Sequence, residues 1–258
     1  MGTWMPGPGA TADADVFVGD AANDVASGLE GNDTLSGADG TDTLSGNAGD
    51  DTINGDGGND LIFGEQAAVD FVFDEVTTGN DILNGGAGND IIIGGLGDDT
   101  LSGGDGDDRL YNGLATASAP GGTVSAYNLS SYSAGADTVD GGSGYDMASM
   151  TYRSSTQSVV FALGANGALS TVMVGGVARG SVVNIEEIRV YGGFGDDTLT
   201  GGDGNDLLMG GDGIDTLTGG AGNDTFTIVA GTATGGVGDD NYLVFNTSAV
   251  LVELANEG

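Results

Sequence analysis

Apolar side chains recur along this chain with a period of nine, neither the two of a plain strand nor the 3.6 of a helix. From Gly28 the sequence reads GLEGNDTLS, GADGTDTLS, GNAGDDTIN and GDGGNDLIF, each copy with an aliphatic residue at its eighth place. A weaker copy precedes them at 19–27. The register returns at 79–84, 85–93, 94–102 and 103–111, at 135–140 and 141–149, in four unbroken copies over 192–227, and at 235–243. Self-similarity at a fixed short period marks a stacked-repeat architecture. A lone apolar residue between mostly polar or small neighbours suits a very short half-buried strand. The G-x-G-N/D-D run before it is rich in residues that accept positive φ. Two nine-residue units then make one coil, with turns stacked in two columns and apolar side chains meeting in the middle. The fold class predicted is all-β: a parallel β-roll (a right-handed β-helix of nine-residue repeats) in at least two blocks, interrupted by a strand-rich insertion.

Breaks in the period set the expected organisation. A first block covers 19–149, with insertions near 64–78 and 112–134. A strand-rich insertion or linker covers 150–191, and a second block with a truncated terminal module covers 192–258. The first break carries the alternating run VDFVFDEV, with Phe71 and Phe73 on one face. The second is rich in Ser, Ala and Gly and carries Tyr127 and Tyr132, as an excursion loop would. The third reads as strands (SVVFAL, ALSTVMV, VVNIEEIRVY) joined by hairpins near Asn166–Gly167 and Gly175–Gly176. Two readings of it stay open: a wider coil or small β cap joining two rolls, or a face that takes an acidic saccharide on Arg153, Arg179, Tyr152 and Tyr191.

Composition turns the pattern towards chemistry. The 258 residues include 53 Gly and 39 acids against 4 Arg, with no Lys, His or Cys, for a formal charge of −35. Of the acids, 32 are Asp and 7 are Glu. Disordered acidic segments favour Glu, so a bias to the short carboxylate beside glycine points to an oxygen needed close to a tight turn. Charge of this sign excludes electrostatic binding to nucleic acid or to an anionic membrane surface. No apolar run approaches the ~20 residues of a spanning helix, so no membrane insertion is expected. Met1–Ala10 lacks the basic start and apolar stretch of a signal peptide.

The absence of His and Cys removes the usual zinc, copper and iron–sulfur ligand sets, and with them zinc-protease chemistry. A serine triad has no base, and there is no G-x-S-x-G elbow. Paired carboxylates hydrolyse glycosides, but every Asp pair here sits in a repeat turn. No catalytic residue is expected, and the chain is read as no enzyme.

Aligned, the copies read G-G-x-G-N/D-D-x-U-x, where U is apolar. The sixth position is Asp throughout: Asp24, Asp33, Asp42, Asp51, Asp60, Asp81, Asp90, Asp99, Asp108, Asp137, Asp146, Asp197, Asp206, Asp215, Asp224 and Asp240. Ca²⁺ is a hard cation that takes six to eight oxygens. One turn cannot supply that many, whereas two stacked turns can, through Asp carboxylates and backbone carbonyls. A purely structural turn, with each carboxylate accepting local N–H bonds, is the alternative. For the fifth-position acids Asp50, Asp98, Asp107 and Asp196, a turn role is preferred over ligation.

The repeat resembles that of the RTX (repeats-in-toxin) calcium-binding family over roughly 19–243. The run NIEEIRVYGGFGDDTLTGG resembles a linker between RTX blocks, and GGVGDDNYLVFNTSAVLVELANEG resembles a terminal RTX module that would continue past Gly258. The resemblance implies several Ca²⁺ ions lying between repeats n and n+2, with the sixteen sixth-position aspartates as side-chain ligands. It also implies a secreted or cell-surface bacterial protein, exported by type I secretion and folded by calcium outside the cell, of which this chain is one part. Two alternatives stand beside that structural module. One is the calcium module of a secreted polysaccharide-modifying enzyme; the other is an adhesin or surface-layer segment with a glycan or cell-surface partner.

Overall fold

The computed structural model describes residues 2–5, 9–65, 78–113, 115–117, 124–126 and 135–253. The run with Phe71 and Phe73, and the residues Tyr127 and Tyr132, lie outside them. The chain divides into two compact units, the first ending at Asp146 and the second beginning at Met147.

The eighth-position residues build the core of the first unit. One sheet stacks the strands Val16–Val18, Thr34–Ser36, Thr52–Gly58, Ile82–Ala87, Thr100–Asp105 and Asp137–Ser143 in parallel. Its register aligns Phe17, Leu35, Ile53, Leu83, Leu101 and Val139. The facing sheet stacks Val25–Glu30, Thr43–Ala48, Leu61–Phe63, Ile91–Ile93 and Arg109–Tyr111, aligning Ala26, Leu44, Ile62, Ile92 and Leu110. All of these side chains are buried. In the first sheet the seventh-position neighbours Thr34, Thr52, Ile82 and Thr100 point to solvent, whereas in the facing sheet Leu61 and Ile91 at that place are buried as well. Successive copies alternate between the sheets, so each coil takes two repeats, as the period predicts. Strand Thr3–Met5 pairs antiparallel with Val16–Val18 at the first edge.

The second unit repeats the plan. Val159–Ala162, Thr198–Thr200, Asp215–Ala221, Gly231–Val237 and Ala249–Val252 stack in one sheet. Met147–Thr151, Glu187–Tyr191, Leu207–Met209, Thr225–Ile228 and Asn241–Val244 stack in the other. The strand-rich segment 150–191 therefore contributes parallel rungs to the roll at both of its ends. Between them, Ser170–Val174 and Val177–Val183 form an antiparallel hairpin whose turn residues Gly175 and Gly176 have φ of 58° and 79°, the hairpin read from the sequence.

Positive φ falls at the second and fourth repeat positions, not at the fifth. Leu29, Ala38, Asn47 and Asp56 take it at the second place with φ of 71–83°. At the fourth place Gly58 has φ of 128°, and a Cβ there would run into the Gly40 carbonyl of the rung before it. Glycine recurs at that position because consecutive turns are in backbone contact.

Candidate metal centre

The sixth-position carboxylates form ladders, and their two oxygens have different work. Oδ1 accepts the backbone N–H of the sixth-position residue one rung earlier. In the first unit one column runs Asp15→Asp33→Asp51→Asp81→Asp99→Asp137, with N···O distances of 2.7–3.0 Å. The other runs Asp24→Asp42→Asp60→Asp90→Asp108→Asp146 at 2.7–2.8 Å. In the second unit Val159 N–H donates to Asp197 and Asp197 N–H to Asp215. Ile188, Asp206 and Asp224 pass theirs to Asp206, Asp224 and Asp240 respectively.

Oδ2 is a different case. In Asp33, Asp42, Asp51, Asp60, Asp81, Asp90, Asp99, Asp108, Asp215, Asp224 and Asp240 this atom is buried without a hydrogen-bond donor. Leaving a buried acceptor unsatisfied costs about 1–3 kcal/mol, and more when it is charged. Such a row of orphaned oxygens calls for a positive partner.

The glycines show where that partner fits. A Cβ at the first-position Gly28 would overlap Asp33 Oδ2 and lie 2.8 Å from the Gly46 carbonyl oxygen on the next rung. Gly37 stands in the same relation to Asp42 and Gly55, Gly85 to Asp90 and Gly103, and Gly201 to Asp206 and Gly219. Each of these four glycines, having no Cβ, brings one carboxylate oxygen and one carbonyl oxygen to the edge of a shared notch, the oxygen-only chemistry a hard cation needs. Among the described residues no three acidic side chains converge on one point. The donor set is one carboxylate per repeat completed by backbone oxygens, and the residues present fit calcium on those terms.

At the column heads Oδ2 is satisfied from within. It accepts the N–H four residues earlier in Asp15 (from Thr11, 2.6 Å), Asp24 (from Asp20, 2.9 Å), Asp197 (from Gly193, 2.9 Å) and Asp206 (from Gly202, 2.6 Å). Electrostatics follow these contacts. Burial, partly offset by the N–H on Oδ1, raises Asp51, Asp60, Asp99, Asp108 and Asp206 to about 6. It raises Asp90, Asp215 and Asp224 to about 7, and Asp81 and Asp137 to about 8. Asp24, held chiefly by the Asp20 N–H, is instead lowered.

The fifth-position side chains form an outer ladder of the opposite sense. Asp50 accepts the Asn80 N–H at 2.9 Å, Asp98 that of Ala136 at 2.7 Å, Asp107 that of Tyr145 at 3.0 Å and Asp196 that of Ile214 at 2.8 Å. They satisfy turn amides of the following rung.

Two acids escape the sequence reading. Asp15 is buried and heads a column; its signals are its place nine residues before Asp24 and the apolar Phe17 two places later. Glu65 is buried next to the first interruption of the repeats, and it accepts N–H bonds from Gly79 (3.1 Å) and Leu96 (3.0 Å). Burial first, then Asp99 and Asp81, push it up to about 10. No periodicity announces it.

The RTX calcium-binding nonapeptide repeat, as a four-copy family model, matches residues 10–44, 36–67, 76–111, 133–148, 189–217 and 200–227, more than half of the chain. The chain belongs to the RTX calcium-binding repeat family. Its repeats therefore bind calcium, and the β-roll is the fold they build. The match begins at residue 10, so it takes in the copy around Asp15 as well. No curated protein matches the chain.

Two of the four arginines of the RTX chain make contacts within it. Arg153 stacks on the Tyr191 ring with its Cζ 4.0 Å from the centroid. Arg189 pairs with Glu187 at 3.0 Å, and Tyr152 is buried in the core.

Proposed function

We propose that this RTX chain is a non-catalytic module whose fold is completed by several calcium ions, held between successive rungs by sixth-position aspartates and glycine carbonyls. The observation that carries the reading is the in-register row of buried Asp Oδ2 atoms without a donor, each beside a glycine notch. When bound, calcium supplies positive charge between carboxylates that otherwise repel. Asp Oδ1 fixes each turn to the rung before it, the first-position glycine keeps the notch open, and the eighth-position side chain anchors the turn to the core.

One eighth-position side chain per nine-residue repeat, joined in places by flanking residues such as Leu61 and Ile91, is a small interior to hold a chain of charge −35 compact. Folding is therefore coupled to metal binding, with site affinities of about 10⁻⁴–10⁻³ M, as in extracellular calcium modules. That range suits a chain that stays unfolded in calcium-poor cytosol and folds after secretion, at the cell surface or beyond. Circular dichroism of the chain in chelator and in millimolar Ca²⁺ tests the reading. The β signal is expected to appear only with calcium, and identical spectra would refute the coupling.

For the 150–191 segment the structural reading is favoured over a saccharide face. Tyr152 is buried and Arg153 is already stacked on Tyr191, which leaves Arg179 on an exposed strand.

A further inference from the structure

Intact repeats open with glycine, whose missing side chain lets the Asp Oδ2 and a carbonyl oxygen of the next rung border one notch. Gly103, Asp108 Oδ2 and the Gly141 carbonyl oxygen are one such set. The repeat of Asp137 is built differently. It opens with Asn112, is interrupted, and resumes at Gly135. Asn112 is 0 % exposed, and its Nδ2 donates to Asp137 Oδ2 at 3.1 Å. Asp137 Oδ1 meanwhile accepts the Asp99 N–H at 3.0 Å. Both oxygens of this buried carboxylate are thus satisfied by protein, and the space that glycine vacates elsewhere is filled by a side chain.

The other end of the same column is closed in kind. Asp15 Oδ2 accepts the Thr11 N–H at 2.6 Å and the Thr11 hydroxyl at 2.9 Å. Between the two ends, Asp33, Asp51, Asp81 and Asp99 keep Oδ2 without a donor. An amide N–H aimed at a carboxylate oxygen presents its positive end where a cation would otherwise bind.

We propose that Asn112 is a built-in substitute for calcium: its amide closes the site at Asp137, so that this column takes ions only between its ends. The inference rests on the calcium reading above and adds which aspartates go without metal. It also assigns Asn112 a function opposite to that of a ligand. Were the amide reversed, its Oδ1 would face the carboxylate, an arrangement that needs a proton or an ion between the two oxygens.

Native mass spectrometry of the full chain in Ca²⁺ counts the ions and separates these cases. Asn112→Gly, which restores the repeat, is expected to bind one ion more than the natural chain. Asp137→Asn is expected to bind the same number, and Asp99→Asn one fewer. A loss of one ion in Asp137→Asn, or no gain in Asn112→Gly, would overturn the proposal while leaving the calcium reading intact. A natural chain that holds no calcium would overturn both. Asp137→Asn decides the question even if Asn112→Gly folds poorly, since it keeps the shape of the site.

Discussion

Replacing Gly85 with alanine puts one methyl group into one notch and changes no charge. Gly85 lies outside the left-handed region, so alanine meets no φ penalty. Its Cβ would overlap Asp90 Oδ2 and stand 2.6 Å from the Gly103 carbonyl oxygen. A site with Kd near 10⁻⁴ M contributes RT ln(1 + [Ca²⁺]/Kd), which is about 2.7 kcal/mol at ~10 mM calcium and about 1.4 kcal/mol at ~1 mM. Alanine also restricts the unfolded chain, a gain of about 0.4–1 kcal/mol, and any steric push on the Gly103 carbonyl is a further cost. Neither of these depends on calcium, so the change of ΔΔG with calcium isolates the lost ion. Urea unfolding of Gly85→Ala and the natural chain at the two concentrations is expected to show a deficit larger by about 1.3 kcal/mol at ~10 mM. A deficit equal at both concentrations would mean the methyl group only strains the backbone, and would refute the notch as the ion's place.

In chelator, acid should help the fold. The carboxylates of Asp81, Asp90, Asp215 and Asp224 rise to about 7–8 through burial, above the ~4 of an unfolded aspartate. Their contribution is therefore fully present below about 4 and lost as pH rises through 7–8. The metal-free chain is expected to gain β signal in circular dichroism on titration from about pH 8 to about 4, and a loss of order over that window would contradict the assignment. Leu44→Ala, at a fully buried eighth position between Ala26 and Ile62, is expected to cost about 2–5 kcal/mol. Urea melts should show that loss with no change in the number of ions bound.

The sequence alone determined the repeat, its two-per-coil stacking, the identity of the core and the sixth-position aspartates. Each of these follows from residue type at a fixed spacing, and Leu35, Leu44 and Ile62 are buried for the reason their pattern states. What tertiary structure decided is what each carboxylate oxygen does. Asp33 and Asp206 are the same letter at the same repeat position. Yet Asp33 Oδ2 is without a donor while Asp206 Oδ2 holds the Gly202 N–H, because Asp206 heads its column. The partners of an aspartate lie one rung away, at a separation of 18 residues in unbroken repeats, but 30 and 38 residues across the two insertions. Local sequence does not encode which rung ends a stack. It also does not encode that Glu65 turns inward to hold Gly79 and Leu96, or that Asn112 lies against Asp137. Those are consequences of which turns end up stacked on which, and hydrogen bonds between rungs settle them only once the coil has closed.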